Sequence, residues 1–287
     1  MIEPAVTIAH LTDTHIRGDD ELVHGQVNTL ENLRSVLDRL VASGQRIDSI
    51  VLSGDLSDDG SPLSYRRLRA AVDPVARELD AHVICAVGNH DDRDAMYTEM
   101  FDAGPADDSG RGPYDAVHHV RGLRIVVLDS TTPGRHDGRL EADQLAWLAD
   151  ELSRPNELGT VLIQHHPPIP SPVATVDYLK LATAEHLEAV LLHSDVRMIL
   201  CGHAHHTGAG AIAGIPVWVG PAMSYRVDPV APVGRHRGVT GYGFSRIDLI
   251  GSSIVATAVE DTVSVPVYDQ PQQDVLDKLH ALSLGTG

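Results

Sequence analysis

Short apolar runs, rich in β-branched residues, alternate with helical patterns along most of the chain. Six of these runs are candidate strands: Ala5–Leu11, Ile47–Ser53, His82–Val87, Leu123–Asp129, Val161–His165 and Val196–Cys201. Because the runs are apolar almost without interruption, they are typical of strands covered on both faces rather than of half-exposed hairpins. The alternation predicts an α/β fold with sheets sandwiched between helices.

Apolar residues at three- and four-residue spacings between these runs predict amphipathic helices. The first has its apolar face at Leu30, Leu33, Leu37, Leu40 and Val41. Ser61 and Pro62 are typical of a cap followed by proline at the first helical position, and they open a helix that runs to Arg77. Pro74 is expected to kink or divide that helix. Two further helices are predicted at Glu141–Leu152 and Thr183–Leu192.

Beyond residue 210 the pattern changes to glycine-rich strand signals with no helix between them. The candidate strands there are Ile215–Val219, Phe244–Ile250 and Ile254–Val259. This succession favours antiparallel meanders. Asp228–Thr240 is expected to be a mobile loop, and the tail from Gln270 is expected to form a short helix. With no tandem repeat and no clear linker, residues 1–287 are predicted to form one domain, in which residues 210–287 supply the terminal antiparallel strands and the C-terminal tail.

The charge of the chain limits its partners. Its 287 residues carry a formal net charge of −18, in an otherwise ordinary globular composition of 43% hydrophobic and 22% charged residues. A polymeric nucleic acid or an anionic membrane would be repelled at long range, so neither is expected as the principal partner. A small phosphate substrate is still admitted, because bound divalent cations reverse the local field of a site.

The number of cysteines and the N-terminal residues indicate the expected cellular compartment of the protein. Cys85 and Cys201 are too few for a disulfide framework, and both lie in apolar runs, so they are interpreted as buried free thiols. Without cysteine pairs, zinc-finger and dithiol redox sites are excluded. The chain enters a strand-like run directly, without a basic segment and a long apolar core, and no window reaches membrane-spanning length. A cytoplasmic location is therefore expected.

Five short polar motifs follow predicted strands, each at the carboxyl end of the strand or in the next loop. They are Asp13-Thr14-His15, Gly54-Asp55, Gly88-Asn89-His90-Asp91, Gln164-His165-His166-Pro167 and Gly202-His203-Ala204-His205. Because α/β domains place their ligands at this edge of the sheet, the five segments are expected to converge. Their carboxylate, amide and imidazole groups suit manganese, iron and zinc. Each motif alone has an ordinary explanation as a turn, but together they predict a metal site.

The order of these motifs resembles that of the calcineurin-like metallophosphoesterase superfamily. The longer strings GNHDDR, HHPPIP and GHAHH are most similar to its bacterial class III cyclic-nucleotide phosphodiesterases. The similarity runs from about Val6 to Val219 and is clearest at the motifs. The resemblance implies a four-layer α-β-β-α sandwich of two mixed sheets, in agreement with the helix-covered strands predicted above.

The resemblance also implies two metal ions bridged by Asp55. Asp13, His15 and His205 would complete one site, and Asn89, His165 and His203 the other. Fe and Mn are favoured as the metals, and the mixed ligands also admit Zn or Co. His165 is preferred to His166 as the ligand because it is the first residue beyond the strand.

Further site residues follow from the same motifs. His90 matches the family histidine that contacts the substrate phosphate and protonates the leaving oxygen, and Asp91 is expected to orient it. Asn89, His90, Arg93 and His206 are the candidate substrate-binding residues. The remaining histidines match no motif and are interpreted as surface or satisfied core residues: His10, His24, His82, His118, His119, His136, His186, His193, His236 and His280.

The function implied is a dinuclear metal-dependent phosphodiesterase that hydrolyses 3′,5′-cAMP to 5′-AMP by attack of a metal-bridging hydroxide. A broader phosphodiesterase acting on glycerophosphodiesters or 2′,3′-cyclic nucleotides is one alternative. A phosphomonoesterase is another, although Gly54–Gly60 lacks the arginine of the GDxxDRG string typical of protein phosphatases. A DNA nuclease is disfavoured by the acidic charge, and a non-catalytic protein-binding scaffold by the complete ligand set. The expected partner is a small phosphodiester, and the apolar segments after residue 210 could support a homodimer.

Overall fold

The six predicted apolar runs form strands whose bounds agree with the expected ones to within two residues. The computed structural model of the protein describes residues 3–104 and 111–261. Its strands are β1 (Val6–Leu11), β2 (Ser49–Ser53), β3 (His82–Ala86), β4 (Ala116–Val120), β5 (Leu123–Leu128), β6 (Thr160–Gln164), β7 (Val196–Cys201), β8 (Gly208–Ile212), β9 (Ile215–Val219), β10 (Arg226–Val227), β11 (Gly238–Val239), β12 (Tyr242–Ile250) and β13 (Ser253–Asp261).

The predicted helices are present, together with two short ones that the apolar pattern did not indicate. The helices are α1 (Thr29–Ala42), α2 (Pro62–Leu79), α3 (Arg93–Phe101), α4 (Ala142–Leu152), α5 (Ala174–Tyr178) and α6 (Ala184–Leu191). The Ser61 hydroxyl caps α2 by accepting a hydrogen bond from the Ser64 amide at 3.2 Å, as the sequence predicts. Helix α2 is not divided at Pro74 and continues to Leu79. The carbonyl that a proline there leaves unpaired belongs to Ala70, and both residues are exposed, so water can bind it.

The strands form two large mixed sheets and a small ribbon. The first sheet has the order β13-β12-β1-β2-β3, in which β1, β2 and β3 are parallel. The second has the order β4-β5-β6-β7-β9-β8, in which β5, β6, β7 and β9 are parallel. Strands β10 and β11 form a two-stranded antiparallel ribbon. Strand β10 directly precedes Asp228–Thr240, the segment predicted to be a mobile loop, and β11 lies within that segment.

The expectation of simple antiparallel meanders after residue 210 is only half right. Strands β12 and β13 form an antiparallel hairpin, but it extends the first sheet beside β1. Strand β9 pairs parallel with β7 in the second sheet, and β8 lies outside it at the edge. The apolar β9 takes the interior position because Ile215, Val217 and Val219 are buried there, while the Gly- and Ala-rich β8 is mostly exposed.

Three apolar cores separate four layers. Leu33 and Leu37 of α1 and Leu68 and Val72 of α2 pack on the outer face of the first sheet. The second core lies between the sheets, and the third covers the outer face of the second sheet with residues of α4 and α6. Alternate residues of β1 serve two cores, since Val6 and Ile8 face the other sheet while Ala9 and Leu11 face the helices. The four-layer α-β-β-α sandwich is therefore confirmed.

The structure also bears on the predictions made for the cysteines, for membrane-spanning segments and for the C-terminal tail. Cys85 and Cys201 are buried free thiols, as predicted. Within the described residues, no helix is both long enough and apolar enough to cross a membrane. The predicted helix after Gln270 lies outside the described residues. The assignment of residues 1–287 to one domain, and the homodimer, stay predictions.

Candidate metal centre and active site

The five predicted motifs meet at one edge of the sandwich, where both sheets present the carboxyl ends of parallel strands. In the first sheet, Leu11 lies beside Leu52, and Ser53 beside Ala86, so the loops that follow β1, β2 and β3 begin at the same level. The second sheet contributes the loops after β6 and β7. The pairing continues beyond the strands, because the Asp13 amide donates a hydrogen bond to the Gly54 carbonyl at 3.0 Å.

The backbone at this edge is unusual. Five of the candidate ligands have positive φ angles although none is glycine: Asp13 (53°), His15 (43°), Asp55 (50°), His203 (68°) and His205 (52°). Each such residue costs roughly 1–3 kcal/mol and persists only where the surrounding structure holds it. The turn after each strand aims the side chain across the edge rather than along the sheet.

Two motif glycines let the loops approach each other closely. A Cβ atom on Gly88 would lie 2.0 Å from the Asp55 amide nitrogen, and one on Gly202 would lie 1.8 Å from the Thr12 hydroxyl oxygen. Any larger residue would push the loop after β3 away from Asp55, or the loop after β7 away from Asp13. The glycines of the motifs are thus required by the packing of the ligand loops.

The first ligand cluster is formed by Asp13, His15, Asp55 and His205, whose ligand atoms all lie within 4.8 Å of one another. His15 Nε2 lies 3.5 Å from Asp55 Oδ2, and His205 Nε2 lies 3.4 Å from Asp13 Oδ1. The two Nε2 atoms are 3.1 Å apart. All four side chains are buried, and two carboxylates with two imidazoles form a donor set that fits a transition-metal cation.

The second cluster shares Asp55 with the first. Asp55, His165 and His203 again place their ligand atoms within 4.8 Å of one another, and His203 Nδ1 lies 2.9 Å from the Asn89 amide oxygen. His165 Nε2 is buried, faces Asp55 Oδ2 at 3.3 Å and makes no hydrogen bond within the described part of the chain. A buried nitrogen left in this way fits a metal ligand. The two clusters can therefore hold two metal ions, with Asp55 between them.

Hydrogen bonds on the far side of three rings fix their orientation. The Nδ1 atoms of His165 and His205 lie 3.0 Å and 3.1 Å from the backbone carbonyls of Ser53 and Tyr225. The Nδ1 atom of His15 lies 3.2 Å from a carboxylate oxygen of Asp58. An N–H donated from Nδ1 leaves the Nε2 lone pair directed at the cluster, which is the usual arrangement of histidines that bind metals.

The charges of the clusters are strongly coupled. Burial by itself lowers the pKa of His165, but the Asp55 and Asp13 carboxylates outweigh it and raise this pKa to about 9. Burial also disfavours the Asp55 carboxylate, yet His165 and His15 hold its pKa well below the usual range. Burial lowers the pKa of His205 to about 4, so that ring is neutral at pH 7. In the metal-free protein a proton on His165 partly balances Asp55, and a metal cation would replace that proton.

Metal affinity at the second cluster is accordingly expected to increase with pH. Below the His165 pKa of about 9, binding must release the imidazole proton, so the association constant should rise about tenfold from pH 7 to pH 8. Calorimetric titration with Mn²⁺ at both pH values, in two buffers with different ionisation enthalpies, measures the affinity and the protons released. Equal affinities at the two pH values, with no proton released, would contradict this charge state for His165.

His90 lies beside the clusters and is bound to them through its backbone. Its amide donates a hydrogen bond to Asp55 Oδ1 at 2.8 Å, while its exposed ring lies edge-on to His15, with ring centroids 4.7 Å apart. Its Nδ1 lies 3.2 Å from the Asp58 carbonyl, which leaves Nε2 available at the surface of the cavity. His90 is thus placed to reach a group bound above the clusters.

The expected role of Asp91 in orienting His90 needs correction. The His90 ring is positioned by the Asp58 carbonyl, and Asp91 makes no hydrogen bond to that ring. The Asp91 carboxylate instead accepts hydrogen bonds from four groups in the loops after β2 and β3 and on α2: the amides of Leu56, Ser57 and Gly88 and the hydroxyl of Tyr65. Asp91 therefore ties the loop carrying Asp55 to the loop carrying His90.

We expect Asp91→Ala to act mainly on stability. The substitution leaves three backbone amides without their acceptor, so unfolding should become easier by about 3 kcal/mol. Thermal and urea unfolding measure this change. Tyr65→Phe is the comparison variant, which loses the hydrogen bond that its hydroxyl donates to Asp91 and the one that it accepts from the Asp92 amide, and it should cost about 2 kcal/mol. An unchanged stability, combined with a large loss of kcat, would restore the orienting role.

Two residues predicted to contact the substrate, Arg93 and His206, bind other parts of the protein instead. Arg93 Nε lies 2.9 Å from the buried carboxylate of Asp129, and Nη2 donates a hydrogen bond to the Thr131 carbonyl. His206 Nε2 lies 2.9 Å from the Ser171 hydroxyl, and the residue lines a neighbouring cavity beside Pro167. His205 contributes to the first cluster, whereas the His206 ring is turned to Ser171 and the neighbouring cavity. His206 is therefore withdrawn as a substrate contact, and Arg93 contributes by holding the Thr131 loop.

The choice between His165 and His166 is clear from their partners. Both ring nitrogens of His166 are engaged away from the clusters, Nδ1 with the Ser130 hydroxyl at 2.9 Å and Nε2 with the His136 carbonyl at 3.2 Å. His165 faces Asp55. The geometry favours His165 as the ligand.

A cavity of about 190 Å³ opens above the clusters and contains residues that no motif indicated. The His136 ring lies 3.1 Å from the Asn89 side-chain nitrogen, and His236, beyond β10, lines the opposite wall. Tyr225 packs its ring against His205, with centroids 4.4 Å apart. The sequence predicts only surface or satisfied core roles for His136 and His236, because neither residue belongs to a motif.

Comparison with known proteins agrees with this geometry. The calcineurin-like phosphoesterase family matches residues 6–207. A cAMP/cGMP dual specificity phosphodiesterase of Mycobacterium tuberculosis is 41% identical over 238 residues, which are 83% of this chain and 74% of that protein. The 3′,5′-cyclic adenosine monophosphate phosphodiesterase CpdA of Escherichia coli is 32% identical over 204 residues, covering 71% of this chain and 70% of that protein.

A solved structure has the same fold. A dimetal phosphatase from Danio rerio superposes with a TM-score of 0.62 at 17% identity, covering 91% of this chain and 100% of that one. The matched family region contains all five motifs, and two relatives more than 30% identical are named phosphodiesterases. The chain therefore belongs to the calcineurin-like phosphoesterase family and is a phosphodiester hydrolase.

Proposed function

We propose that this enzyme hydrolyses 3′,5′-cAMP to 5′-AMP at a dinuclear metal centre. The main support for the proposal is the position of Asp55, which belongs to both ligand clusters. The exposed ring of His90 lies beside these clusters. The names of the relatives, which specify cyclic nucleotides, support this substrate class. The ligands of the two sites are proposed to be Asp13, His15, Asp55 and His205 for one, and Asp55, Asn89, His165 and His203 for the other.

Two cations bound in this way would hold the phosphodiester, lower the pKa of water and stabilise negative charge on the phosphoryl oxygens. The protein residues supply the rest of the chemistry. Asn89 adds a ligand without adding charge, so the net positive field that attracts the phosphate is preserved. His90 donates a proton to O3′ as the P–O3′ bond breaks, while oxygen from water bonds to phosphorus. One water is consumed, and 5′-AMP with a free 3′-hydroxyl is released.

Fe and Mn are the proposed metals, and Zn or Co fit the same ligands. The buried and largely histidine-rich set is softer than the all-oxygen sites preferred by Mg²⁺. The acidic protein and the narrow cavity favour a small diester over a nucleic-acid polymer.

A diester-selective site is preferred to a phosphomonoesterase. Where protein phosphatases have an arginine after the GDxxD string, this chain has Asp59, whose carboxylate accepts hydrogen bonds from the amides of Gly18 and Ser61. No cation is therefore supplied at that position for a dianionic monoester. Glycerophosphodiesters remain a second candidate, because the glycerophosphodiester phosphodiesterase GpdQ of Enterobacter lignolyticus is 28% identical over 203 residues.

A hydrolysis panel tests the proposal. After chelation and restoration of Mn²⁺, the enzyme is assayed with 3′,5′-cAMP, 2′,3′-cAMP, glycerophosphocholine and p-nitrophenyl phosphate. We expect kcat/KM to be highest for 3′,5′-cAMP and activity to disappear in the chelated protein. Monoester turnover far above that of every diester would overturn the proposal, and preference for glycerophosphocholine would select the second candidate.

A further inference from the structure

The metal clusters and His90 account for the phosphate of a cyclic nucleotide, but none of them binds its base. The cavity above the clusters measures about 190 Å³, which is smaller than the roughly 300 Å³ at which ligand pockets usually begin. A bound nucleotide must therefore place its base against the walls of the cavity mouth. Two regions adjoin the clusters, and they differ in chemistry.

The first region is a polar cavity of about 380 Å³ that shares Asn89 with the site. Its two cationic side chains are already paired, Arg93 with Asp129 at 2.9 Å and Arg111 with Asp94 at 3.4 Å. The Arg111 guanidinium also stacks over the Tyr97 ring, 4.6 Å from its centroid. Both cationic side chains have partners within the protein, and the described residues that line this region include no valine, leucine, isoleucine or aromatic side chain to pack on the face of a base.

The second region is formed by two facing walls. Helix α5 and the residue after it contribute Thr175, Val176 and Leu179, and the segment around the β10–β11 ribbon contributes Val227 and His236. The walls are joined where His236 Nδ1 lies 2.8 Å from the Thr175 hydroxyl. Metal binding and proton transfer do not need aliphatic side chains at this place, whereas the flat face of a base does.

We propose that these two walls are the base-binding subsite, an inference that rests on the proposed phosphodiesterase function. Leu179 and Val227 contact the faces of the base, and His236 Nε2 makes a hydrogen bond to its edge. Val227 and His236 lie beyond residues 6–207, the part that matches the family, and Leu179 lies within that part but outside the five ligand motifs.

The hydrogen bond between His236 and Thr175 also predicts which bases fit. A hydroxyl donates or accepts, so Nδ1 can be either protonated or bare, and Nε2 takes the opposite state. With a bare Nε2, His236 accepts from the 6-amino group of adenine; with a protonated Nε2, it donates to the 6-oxygen of guanine. Both cyclic purine nucleotides are therefore substrates, and both depend on His236.

The test compares two substrates that share the same scissile ring. They are 3′,5′-cAMP and the 3′,5′-cyclic phosphate of 1-O-methylribose, which has no base. In the Mn²⁺-restored enzyme, His236→Ala should raise KM for 3′,5′-cAMP about tenfold, with kcat changed less than twofold and the base-free substrate unaffected. Leu179→Ala should act in the same way, and His236→Gln, which can still donate and accept, should recover most of the lost affinity.

His119→Ala and Leu192→Ala are matched controls, because both residues are exposed and lie outside the site. Equal effects of His236→Ala on the two substrates, or no effect on either, would overturn the subsite. If the wild-type enzyme hydrolyses the base-free substrate and 3′,5′-cAMP with the same kcat/KM, the base is not bound at all and the inference is also wrong. Failure of the wild-type enzyme to hydrolyse either cyclic phosphate would instead refute the proposed function.

Discussion

Asp55→Ala is expected to abolish both metal binding and hydrolysis. The carboxylate belongs to both ligand clusters, and its Oδ1 also accepts the His90 amide, so its loss removes a ligand from each cation and a bond to the catalytic loop. Two adjacent cations provide several kcal/mol of transition-state stabilisation, and kcat/KM should fall by more than about a thousandfold. Metal analysis of the Mn²⁺-restored protein should give well below one ion per chain.

The control for this variant is Asp150→Ala, which removes an exposed carboxylate on α4. That variant should keep two ions per chain and full activity. Circular dichroism shows whether the Asp55 variant is folded, since the buried His165 and His15 lose their counter-charge together with the carboxylate. A folded Asp55→Ala protein that retains two metal ions and normal turnover would refute a bridged dinuclear centre.

His90→Ala is expected to leave metal binding intact and to slow the reaction. The side chain is exposed beside the clusters, and the hydrogen bond to Asp55 comes from the backbone amide, which alanine preserves. Removal of a general acid costs about 10²- to 10⁴-fold in rate. The decrease in kcat should be large for 3′,5′-cAMP, whose leaving group is an alkoxide, and small for bis(p-nitrophenyl) phosphate, whose leaving group needs no proton.

This dependence on the leaving group separates proton donation from other roles of His90. A residue that only holds the phosphate would affect both substrates alike, and a metal ligand would lower the metal content. His186→Ala, at an exposed position on α6, is the matched control and should change none of these quantities. An equal loss with both diesters would rule out His90 as the proton donor.

The sheets and the ligand loops could be predicted from the sequence because their signals are local. A strand buried on both faces must be apolar throughout, as Ile50–Leu52 is, and the chemistry follows in the next few residues. The types of residue also indicate the kind of site. Asp, Asn and His together at the ends of several strands are explained by metal binding more readily than by any structural role that all three share. These parts of the molecule are specified within segments of about ten residues.

The remaining features depend on contacts between distant segments. The partner that binds Arg93 is Asp129, 36 positions later, and the direction of β9 depends on whether β8 or β9 is the better interior strand. His236 reaches the cavity only because the β10–β11 ribbon folds back towards Thr175. Neighbouring residues with the same side chain, such as His205 and His206, are separated only by the direction in which each side chain leaves the backbone.

The positive φ angles of five candidate ligand residues have a consequence for protein engineering. Glycine would occupy those backbone positions with less strain than aspartate or histidine, so part of the strain in the fold lies at the residues that perform the chemistry. Screens that select only for heat resistance should therefore accumulate inactive variants at this edge. A durable enzyme has to be sought by improving other surfaces of the sandwich while the ligand turns are kept unchanged.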